Sequence, residues 1–236
     1  MKLILENWNN FVNEQEDEGD GKTNSIFVLV GPPSIGKSTW IKSTFKEMPY
    51  TINRDDIVEK VASSYGWTYD DMFASPPQDA KVGEEDQKFG KVIKSPSWMT
   101  WQATVFDKVL EANGKVQKLF NSRVAGAAPS GKDIVIDMTN MNSGARARAL
   151  AAIKGSEDSY KKVAVVFDFE GVEDAIQAIA QKRAEAAKRM GKSKTIPTAA
   201  FKRMFGSFQK VESNEGFDEI VSVDNRQLLQ KLANEE

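Results

Sequence analysis

A chain of 236 residues, 40% of them apolar, is long enough for one α/β domain with a sizeable core and short for two, so a single domain with insertions is expected. It contains neither Cys nor His, which excludes disulfides, thiolate metal sites, imidazole catalysis and His-ligated zinc, and leaves acid and base chemistry to carboxylates. The net charge of −2 averages two opposed blocks: residues 1–20 hold one Lys against six acids, and residues 182–210 hold nine bases against Glu185 alone. The basic block suits a polyanionic partner such as ATP phosphates or nucleic acid, or else a solvated helix face.

Residues 3–12 place Leu3, Ile4, Trp8, Phe11 and Val12 at helical spacing, and an acidic, Gly-containing stretch follows. Residues 1–21 are therefore expected to be an amphipathic helix on a tether. It could pack on its own domain, dock on a partner protein or serve as a targeting tag. No apolar run approaches the roughly 18–20 residues that span a bilayer, and the start lacks the layout of a signal peptide. A soluble, cytoplasmic protein with no membrane partner is expected.

The domain proper is expected over 22–236. Ile26–Val30 is an unbroken apolar run of the kind that forms a buried parallel strand. Gly31, Pro32, Pro33, Ser34, Ile35, Gly36, Lys37 and Ser38 then fit the P-loop pattern, and Thr39–Phe45 suits a helix. Strand, glycine loop and helix make a phosphate cradle from backbone N–H groups. Residues Gly31 to Thr39 are thus the ATP-binding candidates, with Lys37 reaching the β- and γ-phosphates and the Ser38 hydroxyl a ligand for Mg²⁺.

Tyr50–Asn53 reads as a second strand that runs into Arg54, Asp55 and Asp56, at the carboxyl edge where open α/β sheets bind their ligands. One of the two Asp residues could instead cap the next helix, which carries Ile57, Val58, Val61, Ala62 and Tyr65. Residues 66–131 read as an insertion that serves the acceptor. It comprises an irregular stretch to about residue 96, a helix over 97–124 that Gly114 could kink, and a linker. Its aromatics are more often packing residues than base-stacking ones.

Asp133–Asp137 is a third strand of Walker B form, which makes Asp137 a candidate for positioning metal or water. Thr139, Asn140 and a helix carrying Arg146 follow. A fourth strand over 162–169, a helix over 172–189, a polar break at 191–195, a helix over 197–211 with Pro197 at its first turn, a strand over 217–223 and a closing helix complete the chain. Five apolar strands separated by helices specify an α/β fold with a doubly wound, five-stranded parallel sheet, a helical insertion and a basic lid at 182–196.

With these pieces placed, the chain resembles the P-loop kinase family that includes bacteriophage polynucleotide 5′-kinase, the zeta-toxin-like kinases and the phage kinases of hydroxymethylated DNA bases. The similar segments are Gly31 to Trp40, Ile52-Asn53-Arg54-Asp55-Asp56, Asp137 to Asn142, and the Arg-rich segment before Ile196-Pro197. The resemblance implies an ATP- and Mg²⁺-dependent kinase in which Asp55 is general base toward the acceptor hydroxyl. Lys37 and a lid arginine, Arg183 or Arg189, would stabilise the transferring phosphoryl group, and Ser38 and Asp137 would hold the metal. Arg54, Asp55, Thr139, Asn140 and Arg146 are the acceptor-binding candidates. The implied acceptor is DNA or another nucleic acid; the alternatives are a small-molecule kinase of zeta-toxin type and a non-catalytic P-loop protein. The chain departs from the polynucleotide kinases at Val58, where they carry an Arg for the acceptor phosphate, and in its larger segment 66–123.

Overall fold

A computed structural model describes residues 24–73, 107–155 and 159–235. The β-branched run at Asn24–Val30 forms strand β1, and the loop after it leads into helix α1 (Lys37–Thr44). Strand β2 (Tyr50–Ile52) passes directly into α2 (Arg54–Ser64), and a 3₁₀ turn lies at Asp70–Phe73. After α3 (Asp107–Ala125) come β3 (Ile134–Ile136), α4 (Ser143–Ala152) and β4 (Tyr160–Asp168). The chain closes with α5 (Glu173–Arg189), α6 (Thr198–Gly206), β5 (Glu219–Asp224) and α7 (Arg226–Asn234).

The strands pair in the order β2-β3-β1-β4-β5, and every pair is parallel. Because side chains alternate across a strand, β1 feeds two cores at once. Phe27 and Leu29 pack with Trp40 and Ile41 of α1, Ile176 and Ile179 of α5, Phe201 of α6 and Leu229 of α7. Ile26, Val28 and Val30 pack on the other face with Ala149 of α4, Ile153 and Val211. A third cluster of Val58, Val61, Ala62, Met72, Ala112 and Val116 joins α2, α3 and the 3₁₀ turn. Val58 is therefore a core residue, 1% exposed. The doubly wound sheet expected from the sequence is present.

Several boundaries differ for physical reasons. Gly114 does not divide α3, which runs unbroken to Ala125; Ala112 and Val116 face α2, whereas Leu110 and Leu119 are exposed. Pro197 is the N-cap of α6 instead of its first helical residue. That helix stops at Gly206, well short of Val211; beyond it Gln209 N donates to Met141 O at 2.8 Å, and the carbonyls of Gln209 and Lys210 accept hydrogen bonds from a buried arginine. The expected N-terminal helix and the part of the insertion over 74–106 lie outside the described residues.

At the outer edge of the sheet, Tyr50 N and Ile52 O pair with β3's flanks, so Thr51 points its backbone groups outward. The Arg123 side chain of α3 donates from Nε to Thr51 O at 2.9 Å, and its guanidinium lies 4.2 Å from the centre of the Tyr50 ring.

Trp40 is the aromatic centre of the larger core, 3% exposed and edge-on to Phe27, Phe45 and Phe167 at 5.8–6.2 Å between ring centroids. Trp40→Ala is expected to destabilise the domain by about 3–5 kcal/mol. Urea unfolding measures this, and a loss below about 1 kcal/mol would contradict the packing described.

Candidate functional site

The loop between β1 and α1 is fixed from beneath. Gly31 N donates to Thr139 O at 2.9 Å, and Asn140 Nδ2 donates to Leu29 O at 2.9 Å, so the exits of β1 and β3 are tied to each other. Ile35 is fully buried and anchors the loop's apex into the core. Gly36 takes φ 102°, a conformation open to glycine, and a Cβ there would meet Asn225 Nδ2 at 2.9 Å. That same Asn225 amide donates to Ile35 O. Helix α1 begins at the next residue with no side-chain cap and no acid in its first turn, which leaves its backbone N–H groups to an anion.

Lys37 curls back over the loop, donating from Nζ to Gly31 O at 2.8 Å and to Pro32 O at 3.0 Å. Burial lowers its pKa to about 8, against the pull of Asp137 and Asp55, which favour the ammonium. Asp137 sits just past β3, 8% exposed, with Asn53 Nδ2 donating to its Oδ2 at 3.1 Å. Burial pushes the Asp137 carboxyl above its ordinary range, while Lys37 pulls it down.

Asn53 also answers which acid caps α2. Its Oδ1 accepts from the backbone N of Asp55 at 2.9 Å and of Asp56 at 3.3 Å, so neither Asp is the cap and both carboxylates face outward from the first turn. Burial, then the neighbouring Glu59, raises the Asp56 pKa. Asp55 Oδ1 accepts from the Tyr69 hydroxyl at 3.1 Å, and its Oδ2 lies 3.3 Å from Lys194 Nζ.

These groups line one cleft of about 700 Å³. Its walls are Pro33, Ser34 and Gly36 to Thr39 of the loop and α1, Asn53 to Asp56, and Asp137 to Thr139. Helix α5 adds Ala180, Arg183, Ala184 and Ala187, a face at helical spacing, and Lys194 and Ile196 complete the lining. The segment carrying Lys194 is latched to the 3₁₀ turn: the Asp70 carboxylate accepts from Ser193 Oγ and, at 2.9 Å, from Thr195 N, while Asp70 N donates to Ser193 O. Lys194 thereby reaches Glu59 at 2.7 Å as well as Asp55.

The sequence-based candidates separate clearly. Lys37, Ser38, Thr39, Arg54, Asp55, Asp137, Thr139 and Arg183 share the cleft, whereas Gly31, Pro32 and Ile35 support the loop from outside its lining. Arg189 ends α5, exposed and outside the cleft. Two acceptor-binding candidates are corrected. Asn140 is 3% exposed and donates from its amide nitrogen to Leu29 O, so it holds the loop. Arg146 is fully buried: Nε and Nη2 each donate to Glu215 at 2.6 Å, Nη1 donates to Asn140 O and Gln209 O, and Nη2 also donates to Lys210 O. All five guanidinium donors are engaged, which leaves none for an acceptor. Asn53 and Tyr69 stand outside the sequence-based candidates, and Lys194 enters them only as part of the basic lid. Asn followed by paired acids is a capping signal that marks Asn53. Nothing local marks the other two as neighbours of Asp55.

An anion cradle with a half-buried lysine, a buried aspartate just past β3 and a parallel sheet opening toward both define a P-loop nucleotide-binding domain. Residues 26–211 match the family described as an AAA domain, and the chain belongs to that family. Among solved structures the chain is similar to one titled a "putative kinase" from Chloroflexus aurantiacus, with 10% sequence identity, a TM-score of 0.48, and coverage of 90% of this chain and 93% of that one. No curated protein matches it. Among the described residues no helix is long and apolar enough to cross a membrane.

The Lys37 ammonium gives the site a pH signature. In the free protein it loses its proton near pH 8. Phosphate oxygens hold that proton on, so nucleotide binding is expected to take up a proton above about pH 8 and to weaken as pH rises, by up to about tenfold per unit. Titration calorimetry of ATP binding in buffers of different ionisation heat reads the uptake directly. Lys37→Arg should abolish it, since a guanidinium does not titrate in this range. Equal affinity and no proton uptake from about pH 7 to about pH 10 in the wild type would refute the assignment.

Proposed function

We propose that the protein is an ATP-dependent kinase that transfers the γ-phosphoryl group to a hydroxyl of a nucleic acid, either a polynucleotide 5′-hydroxyl or a hydroxymethylated base in DNA. The observation that carries this reading is that Asp55, freed from capping by Asn53, shares one cleft with Lys37 and Asp137. A carboxylate beside a phosphate cradle supplies the base that a chain without His otherwise lacks. The acceptor oxygen bonds to the γ-phosphorus as the bridging P–O bond breaks, the electron pair leaves on ADP, and the acceptor proton passes to Asp55.

Lys37 offsets charge on the phosphates, and Arg183, on the cleft face of α5, is the lid arginine in this scheme in preference to Arg189. Ser38 and Asp137 would hold Mg²⁺: hydroxyl and carboxylate line the same cleft, and the Asp137 carboxyl is pushed up by burial that a cation would offset. When bound, the metal supplies positive charge to the β- and γ-phosphates.

A nucleic-acid acceptor is favoured by bases that the ATP site does not use. Lys188, Arg189, Lys192, Lys202 and Arg203 are exposed and lie outside the cleft lining. Lys182 is a different case, because it donates to Ala233 O and Glu235 O at the end of α7.

Asp55→Asn is expected to leave ATP affinity nearly intact and to lower turnover by about 10²- to 10⁴-fold, as for loss of a general base. Phosphoryl transfer to a 5′-hydroxyl DNA oligonucleotide measures the effect, and wild-type rates in the variant would remove Asp55 from the chemistry. DNA affinity should fall steeply between about 50 and 200 mM salt through counterion release, with a shallower slope after Lys192→Ala and Arg203→Ala together. Absence of DNA binding at low salt would transfer the preference to a small-molecule acceptor.

A further inference from the structure

We propose that Tyr69 is a positioning residue for the base, holding the Asp55 carboxylate in one rotational state; the inference rests on Asp55 being the base. The Asp55 side chain is 52% exposed and stands on the first turn of α2, where its backbone is fixed by Asn53 but little packing restrains its carboxyl rotation. The Tyr69 hydroxyl donates to Oδ1 at 3.1 Å. This contact leaves Oδ2 as the oxygen available to an acceptor, on the side where Lys194 now lies at 3.3 Å.

The tyrosine is itself held from several directions. Its ring packs against Phe73 with centroids 5.1 Å apart, and Lys194 Nζ stands 4.7 Å from the ring centroid. Thr68 N and Oγ1 both donate to Asp71 Oδ2 at 2.7 Å, which closes the turn that carries the ring. Met72, 1% exposed, sinks the same turn into the cluster between α2 and α3. Asp70, the next residue along, is latched to Ser193 and Thr195. A phenol carried on so restrained a turn can fix the direction of a carboxylate that its own helix leaves free.

Burial, and then the negative charge of Asp55, push the Tyr69 phenol well above its ordinary ionisation range, so it remains a donor throughout the working pH range. The other charged groups facing Asp55 are Lys194 from the latched segment, Glu59, Asp56 and Arg54 from α2, Lys37 from α1, Asp137 after β3, and Arg183 across α5's cleft face. None of these donates to Oδ1, so the hydroxyl of Tyr69 has a role that the surrounding charges do not duplicate.

Tyr69→Phe tests this, because it keeps the ring and deletes only the donated hydrogen bond. The expected result is a fall in kcat of about tenfold to a hundredfold with KM for ATP unchanged, since orientation of the reacting group is lost and nucleotide binding is not. A merely structural tyrosine would not split kcat from KM in this way, because loosening its turn would disturb the Lys194 segment that lines the nucleotide cleft and raise KM as well. Wild type, Tyr69→Phe and Asp55→Asn are compared on a 5′-hydroxyl DNA oligonucleotide with ATP and, in parallel, on ATP hydrolysis, where water takes the acceptor's place. A Tyr69→Phe enzyme with wild-type kcat, or with KM for ATP raised in step with the fall in kcat, beside an inactive Asp55→Asn, overturns the role of Tyr69 and leaves the base in place. An active Asp55→Asn overturns the base itself, and wild-type turnover by neither route overturns both.

Discussion

The cleft depends on the way β1 and β3 end side by side. Their pairing in parallel, Ile26 with Ile134 and Val28 with Ile136, delivers Gly31 and Asp137 to the same edge of the sheet. The two exits are then locked by Gly31 N on Thr139 O and by the Asn140 amide on Leu29 O. A register shift of one residue would turn the faces of β3 over relative to β1 and carry Asp137 away from Lys37. Packing on both faces forbids that shift, so the hydrophobic pattern of the strands sets the geometry of the charges beyond them.

Those charges are strained toward neutrality in the protein alone. Burial acts on Lys37, Asp137 and, with Glu59, on Asp56, in each case opposing the ionised form. The ammonium and the carboxylates relieve one another in part. Phosphate oxygens beside Lys37 and a cation beside Asp137 would relieve them further, which is the condition for a site that binds a polyanion together with its metal.

What the sequence revealed and what it hid divide along contact distance. The P-loop, the five strands and Asp137 are written in short runs, where period and glycine spacing carry the signal. Ala180, Arg183, Ala184 and Ala187 share a helical face that Arg189 does not join, but only the folded chain shows that this is the face turned to the cleft. Arg146 stands among the acceptor-binding candidates of the sequence, yet it is fully buried. Apart from Asn140 O its partners lie 63 to 69 residues away, and its bonds to Asn140, Gln209 and Lys210 go to backbone carbonyls, which no side-chain pattern announces. Lys194 reaches the cleft because Asp70 grips a segment 123 to 125 residues further along. Local periodicity is blind to a latch of that span.

The contact between Arg123 and Thr51 bears on how the molecule behaves among its own copies. β2 is the border of the sheet, and a bare border strand offers its outward backbone groups as a template on which another chain can extend. Here the outward Thr51 carbonyl already accepts a hydrogen bond from a cation that also covers the neighbouring Tyr50 ring, and the strand is three residues long. An incoming strand would have to displace a charged side chain to gain very few backbone bonds. The border strand that runs into the helix bearing Asp55 is thereby guarded against self-templated assembly.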